Sequence, residues 1–173
     1  MALEIVLRSR AGATLAEAQD NLWFQHNLYE PKALKLMNDS TRLLLRAAAR
    51  VVAEAGLDCS QASARRGIYL LMTLPFADEE LRALAGKGTN QIQHLQQNLA
   101  PLWLLKQLPN LPAAHLALQF KFQGPAWTGQ ARREDWTDLC RQAEEILSDG
   151  EVDLLLVGIC SGREAEIGLL EAR

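Results

Sequence analysis

Short apolar runs, each separated by polar and turn-forming residues, indicate five strands along the chain. Leu3–Leu7 and Gly67–Met72 are two of these runs, and Val152–Cys160 is the most hydrophobic one. A short strand is also predicted near Trp127, and Ala165–Glu171 is predicted to be the last strand. Runs without polar alternation are typical of strands that are covered on both faces of a parallel sheet.

Apolar positions recur at helical spacing in the segments that separate these strands. Segments 39–56 and 136–150 are predicted to be amphipathic helices, and each ends in a glycine. Gly12 predicts a turn after the first strand, and Thr14 with Glu17 has the spacing of a helix capping box. Strands that alternate with helices predict a single-domain α/β fold with a mostly parallel sheet.

Composition and charge limit the classes of function. The chain has 173 residues, of which 49% are hydrophobic and 23% charged, so it is long enough for one domain with a core. The 18 basic residues are scattered among 21 acidic ones, which argues against nucleic acid as a partner. No apolar run approaches the roughly 18 to 20 residues of a membrane helix, so we expect a cytoplasmic protein without a membrane association.

The cysteines do not have the pattern of a disulfide framework or a zinc site. They are odd in number, lack C-x-x-C spacing, and lie at Cys59, Cys140 and Cys160. Cys140 falls between Leu139 and Ala143 on the apolar face of its predicted helix, so we interpret it as a core residue. The other two follow a helix end and a strand, and are interpreted as packing or surface thiols. No metal and no cofactor are predicted.

The order of these elements, together with three short motifs, resembles the N-terminal half of a β-ketoacyl synthase. The motifs are Pro109-Asn110, Ala113-Ala114-His115 and Gly124-Pro125, followed by the run 150–157 into the fourth strand. This resemblance implies a single thiolase-like half: a five-stranded mixed sheet with helices on both faces and an antiparallel last strand. On this interpretation residues 1–173 form one domain, and the C-terminal half of the family is absent.

The resemblance fails at the position of the nucleophile. In synthases similar to this chain, Gly-Pro leads through a short strand to a cysteine at the start of a helix, where the helix dipole favours a thiolate. Residues 126–135 read AWTGQARRED and contain no cysteine. Ungapped spacing places Arg133 at that position, whereas a small deletion places Gln130 there, as in some chain-length factors; both alternatives stay open.

The resemblance also implies that the catalytic histidine pair is missing, since the family supplies it from the C-terminal half. The histidines of this chain are His26, His94 and His115, and we expect His115 to be structural. We therefore predict no enzymatic activity. The predicted function is that of a pseudoenzyme similar to a chain-length factor, which pairs with a full-length β-ketoacyl synthase in fatty-acid or type II polyketide biosynthesis.

The same resemblance suggests interface residues and partners. The interface candidates are Asn110, His115, Phe120 and Trp127. Leu102 and Trp103 are expected to reach the partner's acyl pocket and limit chain growth by their volume, although they would equally fill this chain's own core. An acyl carrier protein is a further candidate partner, and self-association into a homodimer is the alternative to the heterodimer.

A second class of function stays open. The chain would then be an independent acyl-binding or acyl-transfer protein that uses Ser40, Thr128 or a repositioned cysteine, or a homodimeric scaffold without a ligand. Co-purification with a full-length ketosynthase separates the partner subunit from both of these alternatives.

Overall fold

A five-stranded mixed sheet forms the centre of the fold in a computed structural model, which describes residues 4–72, 106, 108–130, 136–161 and 163–173. The strands are β1 (Ile5–Thr14), β2 (Arg66–Met72), β3 (Ala126–Gln130), β4 (Leu154–Cys160) and β5 (Glu164–Ala172). Their order in the sheet is β1-β5-β4-β2-β3. Because β2 is parallel to β3 and β4, whereas β5 is antiparallel to β4 and β1, four strands share one direction. The predicted mixed sheet with an antiparallel last strand is confirmed.

The helices include the two that the apolar spacing predicted. They are α1 (Leu15–Ala18), α2 (Asn21–Asn27), a 3-10 helix (Pro31–Leu36), α3 (Asp39–Glu54), α4 (Leu111–Phe120) and α5 (Trp136–Ser148). The Asn38 side chain caps α3 by accepting a hydrogen bond from the Thr41 amide at 2.9 Å. Gly56 and Gly150 follow α3 and α5 with φ values of 62° and 73°, so both predicted glycine stops are confirmed. No helix in these parts of the chain is long and apolar enough to cross a membrane.

Helices cover both faces of the sheet, as predicted. On one face α3 and α4 pack on a core that includes Leu44, Leu156 and Ile167. On the other face α5 packs on a smaller core through Leu139 and its neighbours. Strand β4 lies between the two cores and is buried at every position, which explains its uninterrupted apolar sequence.

The first strand is longer than the sequence predicted. The turn predicted at Gly12 is wrong, because Gly12 pairs with Glu166 of β5 and the ladder continues to Thr14. Thr14 still begins the following helix, since its N–H donates to the Glu17 carboxylate at 2.9 Å. A partner strand from the far end of the chain therefore overrides the local turn signal.

Candidate functional site

Strand β3 is an edge of the sheet formed by the described strands, and one side of its main chain has no strand partner among them. The Ile68 N–H donates to the Pro125 carbonyl at 3.0 Å, which sets the phase of the parallel β2–β3 ladder. By alternation, the N–H and C=O groups of Ala126, Thr128 and Gln130 point away from β2. No described strand pairs with them. This edge is therefore able to accept another strand.

Helix α4, which contacts β3, has an apolar outer face. Ala114 and Leu118, four residues apart, are both exposed, and Leu118 is 57% exposed. Leu108, just before the helix, is 44% exposed. In contrast, His115 and Phe120 of the same helix are only 4% and 6% exposed. The open edge of β3 and this apolar face thus lie on neighbouring elements.

The Gly-Pro turn holds β3 close to the segment before β2. A Cβ atom on Gly124 would lie 2.6 Å from the carbonyl oxygens of both Ala64 and Arg66, so no other residue fits without a shift of the main chain. From this turn, Trp127 points to the α5 face of the sheet, where it is half-buried and packs against the core that contains Tyr69. The motif therefore positions the edge strand against the segment before β2.

The carboxyl ends of three strands bring Gln130, a candidate for the position of the lost nucleophile, into one row with Cys160. Met72 of β2 pairs with Gln130 on one side and with Cys160 on the other, which puts these two residues roughly 10 Å apart across the sheet. Gln130 is exposed, whereas Cys160 is 1% exposed and its Sγ lies 4.0 Å from the Ser40 carbonyl oxygen. The Cys160 thiol is therefore closed off from solvent.

The two other thiols are more accessible but are not activated. Cys59 and Cys140 are half-buried, and burial raises the pKa of each thiol above its usual value. The Arg10 guanidinium lowers the pKa of Cys140, although less strongly than burial raises it. Our interpretation of Cys140 as a core residue was wrong, since the helix turns it toward Arg10 while Leu139 is fully buried. A nucleophilic cysteine requires a stabilised thiolate, which neither environment provides.

His115 is enclosed by the protein. Its Nδ1 lies 3.3 Å from the Tyr29 hydroxyl, and its buried Nε2 has no hydrogen-bond partner among the described residues. Burial lowers the pKa of the imidazole, so His115 is neutral at pH 7. Within the described ranges, no cluster of three or more His, Cys, Asp or Glu residues is suited to hold a metal ion.

The first residue of α5 anchors this helix to the sheet. The Trp136 ring lies against Gly168 of β5, and the Arg10 guanidinium stacks on the ring at 4.3 Å. Arg10 is also paired with Glu166. The first turn of α5 carries Asp138, a carboxylate near the helix N-terminus. The start of α5 is therefore fixed to the sheet by an aromatic ring and carries a carboxylate in its first turn.

The structure brings together only some of the predicted site residues. Leu102, Trp103 and Arg133 lie outside the described residues, so their predicted roles stay predictions. Among the interface candidates, Asn110 is exposed at the start of α4 and Trp127 lies on the edge strand, whereas the other two are in the core. Ala114 was named only within the Ala-Ala-His motif and Leu118 was not named, because nearly every position of α4 is apolar and its sequence does not distinguish the outward face.

Comparison with known proteins gives a consistent family and fold. Residues 6–161 match the model of the β-ketoacyl synthase N-terminal domain. No curated protein matches the sequence significantly. The ishigamide ketosynthase/chain length factor is similar in structure, with a TM-score of 0.68, 12% identity, and coverage of 96% of this chain and 62% of that one.

Two further solved structures support the same fold. One is a type II polyketide synthase acyl-carrier protein in complex with its ketosynthase bound to the hexaketide; its TM-score is 0.73 at 14% identity, covering 100% of this chain and 64% of that one. The other is a β-ketoacyl synthase from Burkholderia phymatum STM815, with a TM-score of 0.69 at 11% identity, covering 99% of this chain and 60% of that one.

The chain spans less than two thirds of the length of each of these three relatives. The family model nevertheless covers most of the sequence, from β1 to the residue after β4. With the thiolase-like topology and the Gly-Pro turn before β3, the comparisons agree on one assignment. The chain belongs to the β-ketoacyl synthase family and corresponds to its N-terminal domain.

Proposed function

We propose that this chain is a non-catalytic ketosynthase-like subunit that pairs with a full-length β-ketoacyl synthase through β3 and α4. The observation that carries the proposal is the sequence between the Gly-Pro turn and α5. Residues 126–135, AWTGQARRED, lead from the edge strand to the helix start without a cysteine. The chain thus retains the scaffold of the family and lacks the acyl acceptor.

The other thiols offer no replacement for this acceptor. Cys160 is closed off from solvent, and burial raises the pKa of Cys59 and Cys140. Condensation begins with attack by a thiolate on an acyl thioester, and a thiol whose pKa is raised is largely protonated at pH 7. His115 is enclosed, and among the described residues its hydrogen-bond partner is the Tyr29 hydroxyl rather than a thiol. These environments support a subunit that does not carry out the acyl transfer itself.

The exposed features of β3 and α4 support pairing with a partner of similar fold. An added strand would take up the three outward-facing N–H groups of β3, and its main-chain hydrogen bonds would supply affinity. Ala114 and Leu118 on α4 would bury apolar surface beside it. The similar solved structures include a ketosynthase/chain length factor, which is the kind of assembly that we propose.

The pairing is tested by co-expression with a full-length ketosynthase and measurement of the heterodimer dissociation constant by sedimentation. Thr128→Pro removes the N–H at the middle of the open edge, a group that the β2 ladder does not use. We expect at least about a tenfold weaker heterodimer, equivalent to ~1.4 kcal/mol. Thr128→Val retains the N–H and serves as the matched control. A folded wild-type chain that forms no heterodimer, or a Thr128→Pro variant that pairs normally, would overturn the proposal.

The non-catalytic assignment has its own test. Incubation of the purified chain with acyl thioesters is expected to leave its intact mass unchanged. A stable acyl adduct would refute this part of the proposal and favour the independent acyl-transfer protein. An acyl carrier protein is a further candidate partner, because a similar solved structure contains one with its ketosynthase.

We further propose that this subunit limits the length of the acyl chain that the partner ketosynthase makes. Leu102 and Trp103 are the candidates to reach the partner's acyl pocket, by the resemblance described above. Trp103→Ala in the assembled complex is expected to lengthen the product, because a smaller side chain leaves more volume in a close-packed pocket. An unchanged product distribution with intact assembly would contradict the idea.

A further inference from the structure

A second candidate binding site lies between α2 and α3. It is an open cleft of about 390 Å³, a volume within the range of small-molecule sites. None of its lining residues belongs to β3 or α4, so it does not rest on the proposed pairing. The lining residues are Trp23, Asn27, Arg46, Ala49, Arg50 and Ala53.

The cleft carries excess positive charge. Arg46 and Arg50 lie one helical turn apart on α3, and none of the described residues that line the cleft is acidic. Glu17 is the carboxylate that contacts both guanidiniums, with Arg50 bonded closely and Arg46 at 3.9 Å. Glu54, one turn beyond Arg50, accepts a hydrogen bond from the Ser9 hydroxyl at 2.7 Å. Glu17 is thus shared by two guanidiniums, and the described lining itself carries two positive charges and no negative one.

Arg46 is left with unused donors. Its side chain is only 14% exposed, and its guanidinium lies over the Trp23 ring at 4.2 Å. Within the described parts of the chain it has no hydrogen bond, and its Nε is buried without a partner. In contrast, Arg50 donates to the Gly12 carbonyl at 2.6 Å and to Glu17. Among the described residues the nearest carboxylate to the Arg46 Nη atoms is Glu17 at 3.9 Å, so an incoming oxyanion could add a closer, charge-assisted hydrogen bond to them.

The other walls of the cleft are apolar and suit a carbon-containing group attached to the bound oxyanion. The Trp23 ring and the small side chains of Ala49 and Ala53 form an apolar surface beside the two guanidiniums. The Asn27 amide nitrogen, which donates to the Trp23 carbonyl at 2.8 Å, adds a polar group at the rim. We propose that this cleft binds a phosphate monoester, with the phosphate on Arg46 and a flat or apolar group against Trp23 and the alanines.

Calorimetric titration of the whole chain with phenyl phosphate, at constant ionic strength, tests this site. Ala53 is exposed and lines the cleft, so it accepts a change of charge without a change of core packing. Ala53→Glu is expected to weaken binding by about fivefold or more through repulsion of the anion. Ala53→Gln, of the same shape and without charge, is the matched control and is expected to bind like the wild type.

Two arginine variants show which cation holds the phosphate. Arg46→Gln is expected to abolish saturable binding, whereas Arg141→Gln, an equal change of charge on α5, is expected to leave it unchanged. Circular dichroism checks that both variants fold.

Inorganic phosphate and benzoate complete the ligand series. Inorganic phosphate is expected to bind more weakly than phenyl phosphate, because it lacks the group that contacts Trp23. Equal affinity for benzoate would overturn the phosphate assignment. Absence of saturable binding at millimolar phenyl phosphate, or equal binding by the Glu and Gln variants of Ala53, would refute the site.

Discussion

Gly168→Ala is predicted to displace the ring that anchors α5. A Cβ atom at this position would lie 2.9 Å from Cζ2 and 3.0 Å from Cη2 of Trp136, and 3.1 Å from the Leu7 side chain. Carbon atoms in contact are normally about 3.5–4.0 Å apart, so the indole must retreat by roughly 0.5–1 Å. This movement would also disturb the Arg10 guanidinium, which stacks on the ring at 4.3 Å.

The expected loss of stability follows from these contacts. Overpacking of this kind typically costs about 1–3 kcal/mol. A partly exposed cation–π contact contributes about 0.5–1 kcal/mol, and part of it would also be lost. We therefore expect Gly168→Ala to lower the free energy of unfolding by ~2–3 kcal/mol. Urea denaturation followed by circular dichroism measures this difference.

A double-mutant cycle with Trp136→Leu identifies the cause. Leucine lacks the two ring atoms that the new methyl group meets, so Gly168→Ala should cost less than about 1 kcal/mol in that background. Gly12→Ala in the neighbouring strand is the matched control, since its nearest contact would be the Ala165 carbonyl oxygen at 3.4 Å. A cost that persists in the Trp136→Leu background, or a Gly168→Ala variant as stable as Gly12→Ala, would refute this reasoning.

Three further predictions concern the α3 cap, a histidine and the thiols. Asn38→Ala removes the α3 cap and the hydrogen bond to the Lys106 carbonyl, and is expected to cost ~1–2 kcal/mol in a urea melt, whereas Asn38→Asp retains the capping acceptor. His115 has a lowered pKa, so the unfolded chain binds the proton more readily and stability is expected to fall as the pH drops below about 6.5; His115→Gln should remove this component, and an identical pH profile would contradict it. Cys59 and Cys140, with raised pKa values, are expected to react with iodoacetamide more slowly at pH 7 than a small model thiol, and rapid labelling would indicate an activated thiolate.

The sequence predicts well those elements whose signal is complete within one segment. Strand β4 is apolar throughout because both of its faces are covered, and α5 shows one buried stripe through Leu139, Ala143 and Leu147. The glycines after α3 and α5 also mark the helix ends locally, because a residue there adopts the left-handed backbone conformation, which glycine tolerates best. These features depend little on the rest of the chain.

Features that depend on contacts between distant segments could not be predicted from the local sequence pattern. The extension of β1 beyond Gly12 requires pairing with β5, and the strand order cannot be seen in the periodicity of any one strand. Helix α4 reads LPAAHLALQF, with apolar residues at nearly every position, so its sequence does not show which face is outward. For this reason the sequence indicated the α4–β3 region but did not identify Ala114 and Leu118 as its exposed residues.

The pairing of β1 with β5 has a consequence for how the protein folds. Ile5 lies opposite Ala172 and Thr14 opposite Glu164, so this ladder joins opposite ends of the described chain. Hydrogen bonds between Glu4 and Arg173, at 3.0 and 2.8 Å, extend the same ladder. Contacts between residues far apart in sequence slow folding, because the chain loses much entropy before they form. Strand β1 therefore has no strand partner until β5 has reached the sheet. We expect the formation of the β1–β5 ladder to limit the folding rate.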